Sequence, residues 1–179
     1  MAPTELIPRA RAAYELGRAR LGLQRAVCVL PLAFCALVPC QKPVFVAVAL
    51  GALFVAVALF SYLGKAAGSA VLPGVLAGLP ALALPIGVRL TGHLCELPGC
   101  IALCLPACAV GGIVSGAALA LAANLEEAQP RRREFLLAAL VLASLTGSIG
   151  CAAAGMTGVM AMLAGTAIVS APALLAAAR

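Results

Sequence analysis

The sequence predicts an all-α polytopic membrane protein, a bundle of six transmembrane helices preceded by a short, basic, amphipathic helix. Three observations lead there. Of 179 residues, 64% are hydrophobic and 10% charged, whereas soluble domains carry roughly 25% charged residues. The apolar residues fall into runs close to the ~20 residues that a helix needs to cross about 30 Å of hydrocarbon. The cationic residues collect at alternate ends of those runs, as cytoplasmic loops do. Disorder is excluded, because it requires low hydrophobicity and high charge. A soluble globule would lack the polar residues to cover its surface.

Residues 1–25 read as a cytoplasmic amphipathic helix. Leu6, Ala10, Tyr14, Gly17 and Leu21 recur at helical spacing, while Arg11, Arg18 and Arg25 mark another face. Arg11, Tyr14, Arg18 and Arg25 are the expected surface for anionic lipid or for a protein partner. The segment lacks the cleavage pattern of a secretory leader, and further spans follow it. Residues 26–179 form the bundle, with spans expected at 26–40, 43–64, 66–88, 100–123, 135–153 and 156–178. The Gln41-Lys42-Pro43 break ends the first span and Lys65 the second, and Pro73, Pro80 and Pro85 should kink the third. The fourth stops at Asn124-Leu125-Glu126-Glu127, and a minimal turn at Gly155 separates the last two.

This division places Arg9, Arg11, Arg18, Arg20, Arg25, Lys65, Arg131, Arg132, Arg133 and Arg179 on one side, with Lys42 and Arg89 on the other. Both termini are therefore expected in the cytoplasm, and the chain in a cell inner membrane. The net charge of +6 belongs to membrane-surface ends rather than to a nucleic-acid footprint, so no direct nucleic-acid binding is expected.

Enzymatic chemistry has little to work with. There is one histidine, His93, no aspartate and six glutamates, which leaves no Ser-His-Asp triad. Glycine-rich phosphate loops are absent. Eight cysteines stand at positions 28, 35, 40, 95, 100, 104, 108 and 151. None forms the CxxC pair that tunes thiol oxidases. The expectation is a non-enzymatic protein.

Small residues recur four apart inside the spans: Gly74 and Gly78, Gly112 and Gly116, and Gly147, Cys151 and Gly155. Such stripes let helices approach closely where lipid supplies no hydrophobic drive, within the bundle or in an oligomer. Cys100, Cys104 and Cys108 extend the stripe of the fourth span on one face. With His93 and Cys95 they make a His-x-Cys-x4-Cys-x3-Cys-x3-Cys run directed to the outer side, where Cys151 and Cys40 also fall. Three readings fit: small packing residues, disulfides in an oxidising compartment, or thiolate and imidazole ligands for a soft ion such as Zn, Cd, Hg or Cu.

Short spans, a basic N-terminal segment, cytoplasmic termini and outer-face cysteines together resemble the layout of NrsF-type membrane anti-sigma factors. The resemblance implies a cytoplasmic segment that holds a sigma factor, and outer cysteines that respond to heavy metal or oxidant. Cys100 and Cys151 are the positions it matches to the family's cysteine pair. It departs from that layout in its short cytoplasmic segment and its surplus of outer cysteines. The functional expectation is a metal or redox sensor that regulates a cytoplasmic partner. One alternative is a soft-metal transporter using the Cys100, Cys104 and Cys108 face, and another is a structural subunit of a membrane complex.

Overall fold

The computed structural model describes residues 3–27, 29, 31, 43–90, 101–125, 131–152 and 155–177. Every regular element among them is helical: α1 (Pro3–Val27), α2 (Pro43–Leu63), α3 (Lys65–Ser69), α4 (Val71–Leu90), α5 (Ile101–Leu125), α6 (Arg132–Cys151) and α7 (Met156–Ala176). Five stretches, Val44–Leu63, Ala66–Val88, Cys104–Asn124, Arg132–Cys151 and Met156–Ala176, are long and apolar enough to cross a membrane. Large apolar side chains such as Val44, Phe45, Val48, Val55 and Ile168 face outward, which water would penalise and lipid does not. The chain is a helical membrane protein. Most of the expected span at 26–40 lies outside the described residues.

The helix ends follow from local chemistry. The third expected span is stepped: α3 and α4 meet at Ala70. In an unbroken helix Pro73 would have to donate to the Ser69 carbonyl, and it has no N–H to give. The two tight connections use glycine where only glycine is comfortable. Gly64 (φ 62°, ψ −154°) and Gly155 (φ 82°, ψ −171°) occupy a region closed to residues with a Cβ. No neighbouring atom crowds Gly155, so Gly155→Ala isolates the backbone effect. It should cost about 1–3 kcal/mol in a detergent-denaturation titration.

Helix α6 sits at the centre. Of its membrane window 61% is buried, against 17% for α2. It packs on α4, α2, α7 and α5, while α5 packs most extensively on α7. The glycine stripes are the reason these backbones come so close. A Cβ at Gly74 would lie 2.9 Å from Ala139 Cα, and one at Gly78 would lie 2.8 Å from the Ala143 carbonyl. A Cβ at Gly116 would lie 2.8 Å from the Thr166 carbonyl. Three buried hydroxyls donate back along their own helices, Thr146 to the Leu142 carbonyl (2.8 Å), Thr166 to Met162 (2.9 Å) and Ser170 to Thr166 (2.7 Å). Each thereby avoids an unpaired polar group in lipid, whereas the buried Ser115 hydroxyl has no partner among the described residues.

Helix α1 runs without a break through residue 25 and packs against α2. Its buried stripe differs from the expected apolar stripe. Gly22 and Ala26 are buried, with a Cβ at Gly22 placed 3.0 Å from the Ala58 carbonyl. Tyr14 and Leu21 point away from the bundle. Small size, not hydrophobicity, selects the face that docks, because a helix enters this apolar core by close approach.

Candidate functional site

Three of the eight cysteines fall among the described residues in regular positions, and they converge. Cys104 and Cys108 stand one turn apart on α5, and Cys151 is the last residue of α6; all three are buried, free thiols. Cys108 and Cys151 pack together in the core, with Cys104 one turn away on α5. Cys108, Cys151, Ala81 of α4 and Met162 of α7 form one apolar cluster, with Val159 packed against it. Four helices thus meet around the thiols.

Glycines make the meeting possible. A Cβ at Gly111 would lie 2.7 Å from Ala81 Cα, and one at Gly150 would lie 2.6 Å from the Leu82 carbonyl. At Gly147 an added Cβ would strike Met162 Sδ. Helix α4 is therefore clamped between α5 and α6 at the level of Ala81.

Proline supplies the polar feature of the site. In α4, Pro85 cannot donate to the carbonyl four residues back, which belongs to Ala81. That carbonyl would be orphaned in an apolar core. Cys151 fills the gap, its Sγ–H donating to the Ala81 oxygen at 3.7 Å, a weak bond but the thiol's natural role as donor. One thiol therefore packs with a second thiol on α5 and holds the carbonyl that a proline leaves without its helical donor.

His93, Cys95, Cys100 and Cys40 lie outside the described residues. Among the described residues no three His, Cys, Asp or Glu side chains gather in a metal-holding arrangement. The structure thus packs Cys108 against Cys151 in one cluster, with Cys104 buried one turn away on α5. Ala81 and Met162 have no part in the sequence-based expectations, where Pro85 enters only as a helix-kinking residue. The offset of four between Ala81 and Pro85 was a readable signal for a free carbonyl, whereas nothing local announced that Cys151 would reach it.

The basic residues at the other end take different roles. Arg11 forms an exposed pair with Glu15 (3.5 Å), a contact of small energetic weight. The Arg18 guanidinium lies over the rings of Tyr14 (5.7 Å) and Tyr62 (5.4 Å) and against Gly64. Such cation–π contacts tie α1 to the end of α2. Arg25 is exposed.

Fold and site define a helical membrane protein with buried thiols against a proline-containing helix. Comparison with protein families, curated proteins and solved structures gives no match.

Proposed function

We propose that the protein is a non-enzymatic membrane sensor whose input is chemistry at the Cys108–Cys151 thiol pair. The supporting observation is the double role of Cys151, packed with Cys108 in one buried cluster and donor to the carbonyl that Pro85 frees. A peroxide oxidant would join the two sulfurs: two thiols and one hydrogen peroxide give one disulfide and two waters. The S–H bonds are consumed, so the Ala81 carbonyl loses its donor in the same step. Helix α4 must then find another arrangement around Pro85. Through α3, α2 and the docked α1, that change reaches the basic N-terminal helix, where a cytoplasmic protein, such as the sigma factor implied by the NrsF-like layout, would be held or released. Two-state elements biased by local redox chemistry act in this way.

Amide exchange in liposomes tests the coupling. Peroxide should increase exchange in α4 around residues 81–85 and alter protection of α1 in the native chain. Cys151→Ser keeps a hydroxyl donor for Ala81 and cannot be bridged, so it should show neither change. Identical responses in the two proteins would refute the reading.

A second reading is a soft-ion sensor, favoured by the Met162 thioether in the same cluster as the two thiols. All-sulfur ligation suits Cu(I). Transport along the α5 cysteine face is less well supported, because Gly112 and Gly116 continue that face into tight backbone packing on α7.

A further inference from the structure

The step between α3 and α4 opens a lateral cleft of about 520 Å³. Its walls are Arg25 and Val29 of the N-terminal segment, Val57 of α2, and Leu72, Leu76 and Leu79 of α4, with Gly68 and Ser69 at one end. We infer that this cleft binds one acyl chain of an anionic phospholipid, with the lipid phosphate held by Arg25. The site is separate from the thiol cluster and rests only on the chain's place in a membrane.

Charge and length both select this occupant. Arg18 packs against Gly64, and Arg25 follows two turns further into the bundle on the same helix. That brings Arg25 level with the Gly68–Ser69 step, at the polar end of the cleft. Among the described residues no carboxylate pairs with Arg25. A guanidinium two turns inside the end of a span is costly without an anion. From Ser69 to Leu79 the cleft runs along ten residues of near-helical chain, about 15 Å at 1.5 Å per residue. That is half of the roughly 30 Å hydrocarbon thickness, the depth of one leaflet. Leu72 and Leu76 are more than half exposed, so the cleft opens sideways toward lipid. A soluble anion would satisfy Arg25 but leave the apolar wall uncovered, and a zwitterionic lipid would cover the wall while bringing its own cation to the arginine.

Native mass spectrometry of the full chain tests the inference with phosphatidylglycerol and phosphatidylcholine of matched acyl chains. A basic residue near an anionic surface contributes about 1 kcal/mol, so phosphatidylglycerol should bind about fivefold more tightly. Arg25→Gln should erase the preference, and Arg133→Gln, an exposed arginine elsewhere, should keep it. Leu76→Trp, which fills the cleft from a lipid-facing position, should weaken binding of both lipids. Inorganic phosphate should not compete. Equal binding of the two lipids to the native chain, a preference surviving in Arg25→Gln, or one lost equally in Arg133→Gln would overturn the assignment.

Discussion

Replacing Gly112 by leucine should unfold the bundle more effectively than any conservative change on its lipid face. A Cβ at this position collides with the Met162 carbonyl, and Met162 Cα would lie 3.0 Å away. That same carbonyl accepts the Thr166 hydroxyl within α7, so the colliding atoms are part of a hydrogen-bonded backbone. Backbone is a poor yielding surface compared with a flexible side chain. Overpacking of a close interface costs about 1–3 kcal/mol and occasionally more, and here the upper part of that range is expected, about 3 kcal/mol. In lipid nothing compensates by burying more apolar area, because the acyl chains are as apolar as leucine. The control is Gly51→Leu. Gly51 is exposed on α2 and has no atom within 4 Å of an added Cβ. Removing a helix-interior glycine there gains up to about 1 kcal/mol of helix propensity. Titrating folded protein in mixed micelles with dodecyl sulfate should separate the two variants by about 4 kcal/mol, the sum of these opposite effects.

Oxidising the native chain should stabilise it, and only when both Cys108 and Cys151 are present. The bridge would close a loop of about 43 residues, and the chain-entropy estimate for that length is about 4 kcal/mol. Loss of the S–H donor to Ala81 removes a hydrogen bond whose net contribution is about 1 kcal/mol. The balance favours the oxidised form by about 3 kcal/mol. Cys108→Ser and Cys151→Ser should each abolish the gain, while Cys104→Ser should keep it. The same titration, run before and after peroxide, measures all four proteins. A gain of equal size in Cys108→Ser would show that another pair of thiols reacts.

The membrane helices were legible because length and hydropathy decide them. The expected spans at 43–64, 66–88, 100–123, 135–153 and 156–178 match the five apolar helices closely. The first expected span, 26–40, falls mostly on residues outside the description. Boundaries moved where charge rather than hydropathy operates. Helix α6 begins at Arg132, ahead of the expected Phe135, because Arg131 pairs with Glu134 (3.7 Å) and Arg132 donates to Asn124 (2.8 Å). The glycine pairs 74/78 and 112/116 were legible as close-packing stripes, since a residue without a side chain has few other uses inside a span. Their partners were not, because which helix fills a stripe is a property of the whole bundle.

The candidate site was half legible. Spacing of four placed Cys104 and Cys108 on one face of α5. The packing of Cys151 against Cys108 is between helices, and spacing along one helix cannot announce it. The docking face of α1 was misleading in sequence, since its apolar stripe through Tyr14 and Leu21 turns away from the bundle while Gly22 and Ala26 turn in. Hydrophobicity marks what avoids water, and in a membrane bundle that no longer separates inside from outside. Size does. The role of Ala81 could have been read from Pro85, four positions later, but the identity of its donor depends on three helices meeting.

The contact between two particular sulfurs underlies the sensor account, and peptide mapping of the chain oxidised by peroxide in lipid bilayers addresses it directly. The account predicts a linked pair of peptides carrying Cys108 and Cys151, with Cys104 recovered as a free thiol. Recovery of Cys151 joined to Cys104, or of Cys108 and Cys151 both unreacted while other thiols oxidise, would contradict it.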